Sequence, residues 1–497
     1  MLLRKIPFFL FLLALFFCLH GSVENYGYLF PAEVAQAGAG ILLGMAVLLA
    51  LVFFFSRNFL FASLLVFFIS LWYLFFGAIH DLVKTTPFLK LLASYTVLLP
   101  VMLLVNIAVA WWLKKNKQLH PKIFLYLNLL FIIFCLADGI LLVIKHLNYK
   151  QPVAATTLNV DQSKVTAKPN VYFLLFDEYA GYKSLQDSFG FKNDSLYVFL
   201  QQQQFNILPV FSNYDFTPYS MSSVLNMQYV AGSHNSQVIA QEDVQQRFGE
   251  IRNAQVEAIF KSMGYKTANF SMFDFKGSPA LSQTNGLFPI HAALLTHKIF
   301  HKRLLKDIGW WFVTGKFQVP FLKKDILYKD DAYNKLVEEK LLQAAAAKGP
   351  QPVFTYAHFF LPHGQYCRDS SGNLNAPEKI SALSDKPLYL SYLKYTNRVM
   401  QRLVTNITAA DPAAIIIIMS DHGFYDYKSP GGYHAYNFDN ICMVKMPAAK
   451  SDTVNLPRSN VNFFRYFFNT AYGQHFPYVT DSTVFIIEEN AFKQAHP

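Results

Sequence analysis

Apolar positions in the first 150 residues fall into long blocks with short polar breaks, at about 6–20, 39–56, 59–79, 91–113 and 123–145. Each is close to the roughly 20 residues that a helix needs to cross a bilayer, so the pattern predicts five spans. It then changes. Residues 147–168 are polar and aperiodic and predict a linker. Beyond them, short apolar runs rich in aromatic and branched residues recur: "NVYFLLF" (170–176), "KTANFSMF" (266–273), "PVFTYAHFF" (352–360), "AIIIIMS" (414–420) and "ICMVKMP" (441–447). Runs of this kind predict strands buried on both faces. Stretches of helical period lie between them, at 195–206, 242–264 and 391–408. This alternation predicts an α/β domain whose mostly parallel sheet is covered on both sides by helices. The runs "QQQQ" (201–204) and "AAAA" (344–347) read as helix faces, and no longer repeat is evident.

Composition adds direction to this picture. Of the 497 residues 53% are apolar and only 15% charged, an excess that the N-terminal blocks absorb. Arg4 and Lys5 precede the first block, Arg57 separates the second from the third, and Lys114, Lys115, Lys117 and Lys122 crowd the break before the fifth. The loop 21–38 has no basic residue. Positive loops stay in the cytoplasm, so the N-terminus is expected inside and everything after about residue 146 outside. The first block, "RKIPFFLFLLALFFC", also has the form of a cleaved signal peptide, which would leave the C-terminal part on the same side. Lipid attachment at Cys18 is set aside, because no small residues precede it. The net charge of +11 does not indicate nucleic acid: much of it flanks the apolar blocks, and no basic run is interleaved with aromatics. Outside the blocks lie Cys367 and Cys442, either one disulfide or two lone buried thiols, and no CxxC suggests zinc.

Candidate chemistry collects where α/β sheets carry it, at the carboxyl ends of strands. The first strand ends in Asp177 and Glu178, the third carries His358 with His363 soon after, and the fourth ends in Asp421 and His422. A strand-end acid alone is as readily a helix cap; acids and imidazoles at three strand ends together point to a metal site. In "NYDFTPYSMSSVLN" (213–226), Thr217 precedes Pro218, a pairing expected at a helix cap and first position. Taken alone it is an ordinary cap; beside a divalent cation the hydroxyl becomes a nucleophile at a helix N-terminus that favours anions. His358 and His363, five apart, share no face, so a strand ending near 360 places His358 at its rim and His363 in the loop beyond. Glu178 is read either as a support for the site or as a surface acid, and Ser220, one turn past Thr217, as a cap of the next turn in preference to a substrate contact.

The order "NVYFLLFDEYAGY", "TPYS" heading a helix, "HFFLPHGQY" and "SDHG" resembles the alkaline phosphatase/sulfatase superfamily over most of residues 168–490. With five spans in front, the chain is similar to the phosphoethanolamine transferases of bacterial envelopes and to lipoteichoic acid synthase. The resemblance implies an α-helical transmembrane bundle (1–146), a linker (147–168) and a three-layer αβα catalytic domain (169–490), multi-pass in a bacterial-type inner membrane with the domain periplasmic. It implies one divalent metal, zinc or manganese, on Asp177, Thr217, Asp421 and His422, with a second, weakly bound ion nearby. Thr217 becomes the covalent nucleophile. His434 in "GGYHAY", twelve positions beyond His422, joins His363 and His358 as substrate contacts. The implied partners are a phospholipid donor and an envelope glycan or lipid acceptor, for a protein expected to be a monomer. Departures narrow this. Sulfatases that need formylglycine carry C/S-x-P-S-R, whereas residues 217–221 are Thr-Pro-Tyr-Ser-Met, and threonine cannot give that aldehyde. Phosphorus is therefore the expected substrate centre. The D-x-x-x-H pair of two-zinc phosphatases and the disulfides of the phosphoethanolamine transferases are missing. A hydrolase of phosphate or sulfate esters is the alternative, and a non-enzymatic envelope protein a third.

Overall fold

The computed structural model describes residues 2–27, 29, 31–148, 158–231, 236–239, 241–281, 293–309, 311–314, 319, 322, 326–347, 349–380, 385–425, 435–446 and 455–488. His434, with Gly431 and Gly432, lies outside the described residues. The chain forms two compact units, Met1–Lys150 with Gln283–Val319, and Gln151–Ser282 with Pro320–Pro497. The stretch 169–490 expected to be one continuous domain is thus interrupted by a segment that folds with the N-terminal unit.

That unit contains α1 (Phe8–Glu24), α2 (Pro31–Ser56), α3 (Phe59–Thr85), α4 (Tyr95–Lys115) and α5 (His120–Asn148). Four of the five expected spans, α2 to α5, are long and apolar enough to cross a membrane; α1 is a shorter apolar helix of 17 residues. Arg57 breaks the chain between α2 and α3 with a φ of 51°, and Asn58 caps α3 by accepting from the Phe61 N–H at 3.0 Å. Leu43, Phe55, Leu103 and Leu136 on these helices are all exposed, as large apolar side chains are on helices apolar enough to cross a membrane. Inside, α1 is tied to α5 by polar contacts: Asn128 Oδ1 accepts from the Phe9 N–H at 2.6 Å, and His20 meets Asp138 at 3.1 Å.

The second unit runs β1 (Val171–Phe176), α6 (Tyr182–Phe189), α7 (Asp194–Gln202), β2 (Asn206–Ile207), α8 (Thr217–Asn226), β3 (Ser236–Ile239), α9 (Gln241–Arg252), α10 (Gln255–Ser262) and β4 (Lys266–Phe270). Helix α11 (Phe300–Ile308) belongs to the first unit. Then follow α12 (Lys329–Ala346), β5 (Val353–Phe359), α13 (Lys386–Ala410), β6 (Ile415–Met419), β7 (Cys442–Lys445), α14 (Asn460–Tyr472) and β8 (Phe485–Glu488). The main sheet has the order β2-β7-β6-β1-β5-β4, with β6, β1, β5 and β4 parallel and β7 antiparallel to both its neighbours. A small parallel pair joins β3 to β8.

Alternation along the strands builds three layers. Val171, Phe173, Leu175, Ile415 and Ile417 pack against α8, α10 and α14, while Tyr172, Leu174, Phe176, Ile416 and Ile418 pack against α7, α12 and α13. Both faces being covered, every residue of β6 is buried, each isoleucine contributing roughly 1.5–3 kcal/mol. Cys367 and Cys442 are buried and unpaired, which decides for two lone thiols. The helical stretch 242–264 is two helices, because Asn226 Oδ1 draws in the Gln255 N–H at 3.1 Å and turns the chain there.

Candidate active site

Strand register brings the site together. Leu175 lies opposite His358 on β5 and Met419 on β6, so the residues that follow β1 and β6 emerge side by side. Asp177, Asp421 and His422 are buried there, and one ligand atom from each lies within 4.8 Å of the others. The His422 Nδ1–H donates to the Gly423 carbonyl at 2.8 Å, so its Nε2 faces the cluster. That nitrogen stands 3.3 Å from Asp421, 3.9 Å from Asp177 and 3.4 Å from the Thr217 hydroxyl.

Charges and orphaned atoms show what this cluster is suited to hold. Asp177 Oδ1, Asp421 Oδ2 and Glu178 Oε2 are buried without a hydrogen-bond partner, a costly arrangement that a cation removes. Burial works against charge on Asp177, yet His363 and the His358 hydrogen bond outweigh it and hold that carboxyl well below its usual range. Asp421 is pushed the other way, by burial and by the Asp177 charge. His422 is raised to about 9, its burial outweighed by Asp421, Asp177 and Glu178. Two acids in conflict, an imidazole nitrogen that a cation would strip of its proton and three unsatisfied oxygens fit a divalent metal.

Thr217 opens α8, but the cap position belongs to Phe216, whose backbone is extended and whose side chain makes no cap bond. The expected cap is therefore displaced by one residue. The Tyr219 and Ser220 N–H groups both return to the Phe216 carbonyl, at 3.1 and 3.0 Å, so the helix end has fewer free donors for an anion than its sequence suggests. Thr217 stays half-buried and accessible. Its position is set by the neighbouring serines: the hydroxyls of Ser212 and Ser220 both donate to the Asp421 carbonyl, Ser220 at 2.6 Å. Ser220 thus pins α8 to the strand end.

His358 is fully buried on β5, with Nε2 3.3 Å from Asp177 Oδ2 and Nδ1 3.4 Å from the Tyr356 hydroxyl. The position expected to contact substrate thus lies beside Asp177, one of the three residues that could hold a metal. His358→Phe is expected to weaken metal binding about 10–100-fold, the usual cost of losing such a support, as read by calorimetric titration. Glu178 is the residue undervalued from sequence. It is no surface acid: fully buried at a φ of 60°, it accepts from the Tyr425 N–H at 2.9 Å and donates its own N–H to Asp421 Oδ1 at 3.1 Å. Burial raises its carboxyl to about 7 against the pull of His363 and His422.

His363 is half-buried in the loop after β5, and although burial opposes its charge, Asp177 and Glu178 raise its pKa. The loop that carries it is held by Arg368, whose Nη2 donates to Asp331 Oδ2 of α12 at 2.8 Å. Burial works against the Asp331 charge, but Arg368 wins and the carboxyl lies below its usual range. A depressed folded pKa stabilises above the unfolded value near 4 and loses that stabilisation as pH falls through the folded one. Lys335 still pairs with Asp331 at 3.1 Å, so Arg368→Met is expected to cost about 1–2 kcal/mol at neutral pH and progressively less in acid, in denaturant titrations at several pH values.

Gly423 is required for space and not for an unusual φ. Its N–H donates to the Asn437 carbonyl at 2.7 Å, and a Cβ there would stand 2.1 Å from the Tyr436 oxygen and 2.5 Å from that of Asp439. Gly423→Ala must push this backbone off the site, with an expected loss of about 1–3 kcal/mol in thermal or chemical denaturation and weakened metal binding.

The family model described as Sulfatase matches residues 169–471. No curated protein matches the chain. Among solved structures it is similar to the zinc complex of the C-terminal periplasmic domain of EcEptC from Escherichia coli, at 12% identity over 62% of this chain and 84% of that one, with a TM-score of 0.37. It is also similar to the periplasmic domain of the phosphoethanolamine transferase EptC from Campylobacter jejuni (13% identity, 63% and 94% covered, TM-score 0.34). A putative sulfatase from Bacteroides thetaiotaomicron is matched at 11% identity over 66% and 75%, with a TM-score of 0.38.

Proposed function

The chain belongs to the sulfatase family, and from that premise we propose that it is a membrane-anchored, metal-dependent phosphotransferase working through a phosphothreonine at Thr217. Residues 1–146 are the anchor, 147–168 the linker and 169–490, apart from Gln283–Val319 that group with the anchor, the catalytic part, placed outside the cytoplasmic membrane. The observation that carries this reading is an accessible threonine hydroxyl 3.4 Å from the imidazole of a buried two-acid cluster. A threonine cannot be converted to the aldehyde that sulfate-ester hydrolysis uses in this family, and a phosphorus centre suits a simple alkoxide nucleophile.

Asp177, Asp421, His422 and Thr217 are the residues that would hold the metal, zinc or manganese, with room for a second, weaker ion toward His363. When bound, it supplies positive charge that favours the ionised Thr217 hydroxyl and offsets charge on the phosphate. The donor is a phospholipid carrying a phosphoethanolamine-like head group, within reach because the chain is anchored in the same membrane. Thr217 Oγ1 bonds to phosphorus and releases its proton to solvent. The bond from phosphorus to the lipid alcohol breaks, and His363, whose pKa Asp177 and Glu178 raise against its burial, is assigned to give that alcohol its proton. His434 is assigned to the phosphate oxygens from its place in the sequence. An acceptor hydroxyl on an envelope glycan or lipid then displaces Thr217 and takes the head group.

The test is mass spectrometry of the peptide containing Thr217 after the purified full chain is incubated with phospholipid. A phosphoethanolamine-sized adduct on Thr217 supports the reading; an unmodified Thr217 together with steady release of free head group without acceptor makes the protein a hydrolase.

A further inference from the structure

Helix α11 lies across one end of the apolar bundle, and the seat is built for it. The Gly77 N–H of α3 donates to the Lys298 carbonyl at 2.7 Å, and a Cβ on Gly77 would stand 2.8 Å from that oxygen. At Gly21 of α1 a Cβ would meet Leu295 at 2.2 Å. Tyr73 bonds His301 at 2.8 Å, Phe76 meets Phe300 edge-on at 4.9 Å, and Arg303 is held by Asp81 at 2.6 Å and Asp307 at 2.7 Å.

The level of this seat follows from helix length. Starting from Phe59, just after Arg57, about 20 residues at 1.5 Å each carry α3 across roughly 30 Å of hydrocarbon, to near Ala78. The contacts at Tyr73–Asp81 therefore stand where acyl chains give way to head groups. At that level Lys302 and Lys306, one turn apart on α11, are exposed together with Leu305, and Trp311 and Phe312 follow, 71% and 40% exposed. Arg303 is neutralised by its two acids, but among the described residues no acid pairs with Lys302 or Lys306. The segment Pro87–Ala93, packed against α3 and α4, adds exposed Phe88 and Leu91.

We propose that α11 and the short helix Trp311–Thr314 form an interfacial clamp, in which Leu305, Trp311 and Phe312 enter the boundary of the outer leaflet and Lys302 and Lys306 bind phosphates of anionic phospholipids. Aromatic rings favour that boundary, and each lysine near an anionic surface strengthens the attraction. An acidic protein would satisfy the lysines but would leave the aromatic residues beside them at lipid level without a role. The proposal rests on α2–α5 spanning the membrane and is independent of the chemistry at Thr217.

The full chain is reconstituted in phosphatidylcholine vesicles containing either brominated phosphatidylglycerol or brominated phosphatidylcholine, and tryptophan quenching is read. The Trp311 contribution is the difference between wild type and Trp311→Phe. It should be quenched more strongly by the anionic lipid, a preference that Lys302→Gln/Lys306→Gln lowers about tenfold or more and Lys302→Arg/Lys306→Arg retains. Equal quenching by the two lipids, or an unchanged preference in the glutamine pair, overturns the proposal. Trp111 and Trp112, exposed near the other end of α4, are the control. If brominated phosphatidylcholine fails to quench them, the spanning reading fails and takes the clamp with it.

Discussion

Thr217→Ala is expected to abolish turnover, by on the order of 10⁴-fold or more, while the fold remains intact. The substitution removes one hydroxyl at the mouth of the site and little else. Phe216, not Thr217, occupies the cap position of α8, and the helix start is held by backbone bonds to Phe216 and by the Ser220 bond to Asp421. Stability should therefore fall by only about 1 kcal/mol, the usual net worth of one hydrogen bond such as that of the Thr217 hydroxyl to Asp421. Asp177, Asp421 and His422 remain, so metal should still bind, more weakly. Thr217→Ser keeps a hydroxyl at the same atom and should keep measurable turnover. The assay is head-group transfer from a labelled phospholipid, read beside melting temperature and metal content. Turnover within tenfold of wild type in Thr217→Ala would remove the covalent intermediate from the mechanism.

Asp421→Asn has the second largest expected effect, and its signature is different. Asp421 Oδ1 accepts the Glu178 N–H, and an asparagine oxygen can do the same, so local geometry survives. What disappears is one of two negative charges around His422 Nε2. Metal affinity should fall further than the 10–100-fold that loss of a supporting partner causes, and activity should fall with it. Without metal the prediction reverses. Burial and the Asp177 charge oppose ionisation of Asp421, so the asparagine variant should be at least as stable as wild type when both are stripped by chelator. Elemental analysis and melting curves with and without chelator check both halves. Wild-type metal content in Asp421→Asn would move the site elsewhere.

Much of this was legible before any coordinates. The apolar blocks, the five core strands of the second unit and the carboxyl-end placement of Asp177 and Asp421 follow from patterns that a buried strand or a spanning helix imposes on sequence. Other features carry no such signature. Strands β2, β3 and β8 are too short for a period to register, and α14 is buried on most of its faces, polar Asn460, Asn462 and Arg465 included, which "NVNFFRYFF" does not announce. Glu178 beside Asp177 looks like a second strand-end acid, and only its burial and positive φ make it part of the site.

The division has one physical reason. Sequence by itself determines what depends on near neighbours along the chain: the alternation that buries "IIIIM" on both faces, the length that lets a helix cross lipid, the motif order that marks the family. Tertiary structure alone decides what depends on residues distant in sequence meeting at fixed separations. It set His358 3.3 Å from Asp177, took the cap from Thr217 and gave it to Phe216, and made Gly423 necessary through carbonyls that arrive from residues 436 and 439. It also carried residues 293–308 back to the unit of the N-terminal helices, where Gly21 and Gly77 had left room for them.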